Sequence, residues 1–248
     1  MVEQPEKRFS FVSSALAADA FTVVRFRGEE GLSRCYRFEI ELASADPAVD
    51  VDAVISSPAV LSIIREKGDI PFHGIVAEFE QLRQAGVYTF YRAVLVPKLW
   101  WLSMTHHNQV FLGQTVPQMV EACLKDGGLT SLDFELRLQK ACPPWDFACQ
   151  YRESHLNFVS RWLERQGIYY YFEQGSSGEK AVITDTRIAH GPMPQGTAVR
   201  YRALAALEHF HREEVVWEAR SRQQLVPQYI TLRDYNYETP SLALAGFM

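Results

Sequence analysis

The sequence predicts a mainly β fold with an α/β insertion, and three observations carry that prediction. The first hundred residues break into about six short strand-like segments with almost no helical periodicity, a pattern of sandwiches and barrels. The character changes at Leu99, where helix signals begin. Beyond the Pro- and Gly-rich stretch 192–196 it returns to strand-like segments. The predicted architecture is a β-barrel (residues 1–98), an α/β insertion (99–167), strands returning to the barrel (168–191) and an incomplete second β-barrel (192–248).

Each element has a local reason. Residues 8–12 and 21–27 read as short strands around the connection 13–20, and 28–31, GEEG, reads as a turn. Tyr36, Phe38, Ile40 and Leu42 alternate with Arg37, Glu39 and Glu41. That is period two, a strand with one buried and one wet face. Asp50 is placed to cap a short helical turn over 51–56 before Pro58. Strands follow over 61–65, 72–81 and 87–97, the last two joined at Gly86.

In the insertion, Thr105-His106-His107-Asn108 reads as a polar loop. Thr115 with Gln118 three residues on forms a capping box, and Pro117 suits the first turn. Met119, Val120, Cys123 and Leu124 supply its buried stripe, and Gly127-Gly128 ends the helix. Residues 129–138 read as extended, and Pro143-Pro144 forbids a helix over 140–145. Ser154 suits an N-cap. Leu156, Val159 and Leu163 then recur at helical spacing, with Phe158 and Trp162 beside them. Gly167 ends that helix, and Ile168 to Phe172 suits a strand. Residues 174–179 make a hairpin loop, 181–184 a strand, and 198–201, 208–219 and 228–235 strands of the second β unit.

Composition narrows the function classes. A hydrophobic fraction of 47% is ordinary for a soluble protein, and no apolar run nears the roughly 20 residues of a membrane span. The net charge is −5 with no basic block, which argues against nucleic acid as a partner. The N-terminus has no signal-peptide h-region, so synthesis in the cytoplasm is expected. Cys35, Cys123, Cys142 and Cys149 lack zinc-site spacing and are read as reduced and structural.

The chemical candidates are weak. His106 and His107 are the most tempting metal pair, but adjacent side chains diverge and no Asp or Glu sits nearby in sequence. His209, His211 and Glu213 share a strand parity that suits a metal set, and equally a solvated strand face. Gly175-Ser176-Ser177-Gly178 is a hairpin turn, not a nucleophile elbow. Glu153, Ser154 and His155 follow one another directly, whereas a triad converges across space. Asp185 and Asp234 end strands without a paired carboxylate. No catalytic, cofactor-binding or metal residue is therefore assigned, and no cofactor is expected. Tyr169, Tyr170, Tyr171 and Tyr235 are interface candidates, because tyrosine is enriched at interfaces. Alternate members of 169–172 face inward on a strand, so at least two belong to the core. A sugar-stacking platform is the weaker reading.

Several segments together resemble the VgrG spike family of type VI secretion systems, in its hub domain shared with contractile-phage baseplate proteins. They are FHGIV (72–76), QTVPQMV (114–120), YRES with LNFVSRWLERQGIYYYF (151–172) and LRDYNYETPSL (232–242). The resemblance implies a baseplate-hub-like fold with two barrel units and a structural role without catalysis. It implies a homotrimer in the full-length protein, seated on a hexameric tube of Hcp-type protein. Other baseplate proteins and effectors are further expected partners. Assembly is expected in the cytoplasm, followed by secretion through the apparatus. In the family the resemblance points to, the hub continues into an OB-like domain and a triple-stranded β-helix needle; this sequence departs by ending in the second barrel. A phage or prophage tail hub is the alternative; a β-rich carbohydrate binder or hydrolase is a remote one.

Overall fold

The computed structural model describes residues 8–65, 68–191, 198–202, 215–225 and 227–247. The chain divides into two units, residues 1–190 and 191–248.

The first unit begins with a six-stranded antiparallel sheet. Its strands are β1 (Phe9–Ser13), β2 (Thr22–Glu29), β3 (Arg37–Ser44), β4 (Pro58–Ile63), β5 (Ile70–Ala85) and β6 (Tyr88–Val96), in the order β1-β4-β5-β6-β3-β2. The sheet curls until its edge strands meet. Phe9 of β1 and Phe26 of β2 pack edge to face, centroids 5.1 Å apart. No backbone ladder joins those two strands, so the barrel stays half open. The concave face holds Phe11, Tyr36, Phe38, Ile40, Leu42, Leu61, Val76, Phe79, Tyr91 and Leu95, all buried. Period-two alternation in β3 thus points its apolar row inward, as expected. Gly74 lets β5 approach β6: a Cβ there would stand 2.3 Å from the Val96 carbonyl oxygen. Asp50 caps the short helix α1 (Val51–Val54), accepting from the Ala53 N–H at 3.0 Å.

The expected turn at 28–31 is corrected. β2 runs on through Glu29, and Gly28 pairs with Phe38. A Cβ at Gly28 would overlap the Phe38 ring, so this glycine makes room for a core side chain instead of turning the chain.

The insertion builds a second core. After a 3₁₀ turn (Lys98–Ser103) come β7 (His106–Gln114), α2 (Val116–Asp126), β8 (Phe134–Arg137), β9 (Trp145–Ser154), α3 (His155–Gln166), β10 (Tyr169–Gln174) and β11 (Glu179–Thr184). α2 carries the predicted capping box in full. α3 is capped by Ser154, whose hydroxyl accepts from Asn157 N–H, and closed by Gly167 at φ 67°. Met119, Val120, Leu124, Phe158, Trp162 and Leu163 bury together between the helices and strands.

Two expectations change here. Residues 105–108 are not a loop: β7 begins at His106 and pairs antiparallel with β9. β9 itself runs up to the α3 cap. β10 and β11 do not rejoin the first sheet; they pair with each other, and β11 pairs in parallel with β8. Side chains make the return instead. Phe172 packs against both cores and meets Tyr36 edge to face at 4.9 Å, and Gln174 Oε1 accepts from the His73 backbone N–H at 3.0 Å.

In the second unit β12 (Thr231–Asp234) pairs with β13 (Leu244–Phe247), and Tyr201 bridges Val216. The expected strand 228–235 is thus shorter at both ends. The loop 192–196 and most of the expected strand 208–219 lie outside the described residues.

Candidate functional site

The predicted tyrosines separate by strand parity. Tyr170 is buried in the insertion core, and burial pushes its hydroxyl pKa up to about 12. It is core, not a free interface residue, because β10 turns its even positions inward. Tyr169 and Tyr171 take the other face. Tyr169 Oη bonds the Thr186 carbonyl at 3.0 Å and His190 Nε2 at 2.8 Å. Tyr171 Oη donates to the Ala189 carbonyl at 3.0 Å. Burial, then the neighbouring Glu173, holds the Tyr171 pKa above its ordinary value. Tyr171 and Phe172 also line a cleft of about 390 Å³ with Glu30, Arg34 and His190. Tyr235, in the second unit, is exposed. Within the first unit, Tyr170 and the pair Tyr169 and Tyr171 lie on opposite faces of β10 and form no single site.

A surface that sequence reasoning missed lies on the β7–β9 ribbon. Leu112 stands opposite Phe147, Val110 opposite Cys149 and Asn108 opposite Tyr151. Val110, Leu112, Phe147 and Tyr151 share one face and are 56%, 66%, 60% and 65% exposed. The reverse face carries Phe111 and Ala148, both buried. The signal was present in the alternation of Phe147, Cys149 and Tyr151. Pro143-Pro144 upstream and the Ser154 cap downstream concealed it, because together they suggested a loop running into a helix.

At one end of this ribbon two histidines and a carboxylate meet. Arg152 is an extra residue in β9 with left-handed φ of 49°, and its N–H donates to Asn108 Oδ1 at 3.0 Å. This bulge shifts the register between His107 and Asn108 of β7. The His107 ring stacks on His155, centroids 3.8 Å apart and 16° between planes. His155, the first residue of α3, is buried. Gln150 Nε2 lies 3.2 Å from its Nδ1 and can only donate there. Nε2 of the ring then carries the proton and gives it to Asp126 Oδ2 at 2.9 Å. Burial holds the His155 pKa below its usual value, opposed by the bond to Asp126. Bonds from Gln109 and then His155 lower the Asp126 pKa. The carboxylate that the sequence lacked near His107 therefore arrives from the end of α2. His106 points to the ribbon's opposite face. His209, His211 and Glu213 lie outside the described residues.

Comparison with known proteins places this architecture. Residues 29–246 match the family described as phage tail baseplate hub (GPD). The type VI secretion system spike protein VgrG1c of Pseudomonas aeruginosa is 32% identical over 98% of this chain and 33% of its own length. VgrG1b of the same organism is 32% identical over 96% of this chain and 32% of its own length. The chain thus spans about a third of these curated relatives. Among solved structures, the Escherichia coli type VI component c3393 superposes with a TM-score of 0.70 at 24% identity, over 92% of this chain and 56% of that one. That protein is described as structurally similar to the T4 bacteriophage tail proteins gp27 and gp5. The chain, a curled half-barrel with an α/β insertion, belongs to the phage tail baseplate hub family.

Proposed function

We propose that the chain is the hub portion of a type VI secretion spike, joining a trimeric spike to a hexameric tube of Hcp-type protein. Its work is mechanical, carried by interfaces and not by bond chemistry. It is made in the cytoplasm and leaves through the apparatus with other baseplate proteins and effectors as partners. The secretion reading is favoured over a phage tail hub by the identity to spike proteins over nearly the whole chain.

The observation that carries the reading is the apolar face of the β7–β9 ribbon. Four large side chains, Val110, Leu112, Phe147 and Tyr151, stand in water on one side of a ribbon whose other side buries Phe111 and Ala148 in the insertion core. A contiguous apolar patch of this kind marks a protein contact. A second copy of the chain is the proposed occupant, in keeping with a trimeric hub. Tyr169, Tyr171 and Tyr235 remain secondary interface candidates.

The test is assembly with the tube. The purified chain is mixed with an Hcp-type hexamer and followed by size-exclusion chromatography and electron microscopy. The hub reading predicts rings capped on one end and a co-eluting peak. A chain that neither self-associates nor caps the ring at any ratio would overturn it.

A further inference from the structure

We propose that His107, Asp126 and His155 form a structural site for one divalent transition metal of the zinc class. The three donor atoms lie within 4.8 Å of one another. They come from three elements, β7, the end of α2 and the start of α3, so an ion there would tie the ribbon to both helices. Two imidazoles and a carboxylate are a donor set that suits Zn²⁺, Co²⁺, Ni²⁺ or Cu²⁺ and not Ca²⁺ or Mg²⁺.

The surroundings supply the outer shell that such sites need. Gln109 Nε2 donates to Asp126 Oδ2 at 2.9 Å and orients the carboxylate. Gln150 is fully buried beside His155 Nδ1, and its Oε1 has no partner. Metal at Nε2 moves the ring proton to Nδ1, which must then donate. A half-turn of the Gln150 carboxamide sets its oxygen there, at the cost of the amide's bond to the Glu153 carbonyl. Asp126 is half exposed, so solvent can supply a fourth ligand from its side. The helix ends oppose each other: the carbonyl end of α2 at Asp126 favours a cation and the amide end of α3 at His155 does not.

Besides the half-turn of Gln150, binding requires His107 to move. Stacked rings aim their lone pairs side by side, and a shared ion needs those lone pairs to converge. His107 is the ring free to turn. It is half-buried, and a single bond to Thr105 Oγ1 at 2.8 Å holds its Nε2. With metal bonds of about 2.0–2.1 Å, donors in a tetrahedral shell stand roughly 3.4 Å apart. No pair therefore has to close by more than about 1.4 Å, within the reach of an imidazole rotation.

The experiment titrates Co²⁺ into the tag-free full chain, reads the visible ligand-field absorption, and then displaces the ion with Zn²⁺. One equivalent should bind with a four- or five-coordinate spectrum. His107→Ala and Asp126→Asn, both outside the buried core, should each weaken binding about tenfold or more, while His106→Ala leaves it unchanged. Circular dichroism confirms that the variants fold. A chain without the absorption band at saturating Co²⁺ overturns the site. So does a His107→Ala/Asp126→Asn double variant that binds as the parent does, because the ion would then sit elsewhere in the chain.

Discussion

β3 and β9 share the same period-two pattern and put it to opposite uses. In β3 the apolar row Phe38, Ile40 and Leu42 faces the half-barrel core. Its outer face is ionic: Arg37 pairs with Glu78, and Glu41 is held between Arg25 and Arg83 at 2.7 and 2.8 Å. In β9 the order is reversed. Ala148 and the buried Gln150 face inward, while Phe147 and Tyr151 face out. A strand whose outer side is laced with charge is finished as it stands in water. A strand whose outer side is aromatic is finished only when something covers it. Alternation reveals a two-faced strand but not which face meets solvent; that is decided by what the neighbouring elements already fill.

The largest losses are expected from the side chains that pack behind the two strands. Trp162 backs the inner side of the insertion, buried with Trp145 edge-on at 5.1 Å. Trp162→Ala should cost about 3–5 kcal/mol in a denaturant titration. A loss near zero would mean that α3 does not hold β9 from behind. Ile40→Ala, in the inward row of β3, should cost about 2–5 kcal/mol by the same measurement.

The outer face of β3 gives a smaller, pH-dependent effect. Bonds from Arg83 and then Arg25 hold the Glu41 carboxyl below its ordinary 4.5. The unfolded chain then binds the proton more readily than the folded one, so this stability is present above about pH 4.5 and is lost as pH falls through the folded value. Both arginines are largely exposed, which keeps the term to about 1 kcal/mol or less. Glu41→Gln should flatten the stability–pH curve below pH 5; an unchanged curve would show the ion pairs to be idle.

The smallest effect sharpens the contrast most. Phe147→Ser, on the outward row of β9, should change the stability of the isolated chain by no more than about 0.5 kcal/mol. It should nevertheless weaken self-association in sedimentation measurements. A large loss of stability instead would make Phe147 an ordinary core residue.

The first unit was legible where local chemistry decides. The capping box at Thr115, the Ser154 cap and Gly167 all rest on contacts within a few residues of one another, and the alternation of β3 is itself a local pattern. The misses rest on contacts far apart in the chain. Gly28 reads as a turn residue until Phe38 is known to lie over it. His107 lacks a carboxylate until α2 brings Asp126 beside it, and His155 reaches it only through the β9 bulge at Arg152. β10 and β11 read as barrel strands because nothing local announces that β8 pairs beside β11. Tyr170 and Tyr171 look alike in sequence, and only parity against the insertion core separates them.

The most direct test is the solution mass of the chain by light scattering across a concentration series. A hub whose ribbon face is made to be covered by another copy should rise with concentration toward three times 28.4 kDa, and Phe147→Ser should shift that rise to higher concentration. A mass that stays at 28.4 kDa throughout, with parent and variant indistinguishable, would contradict the claim that this face carries a self-interface.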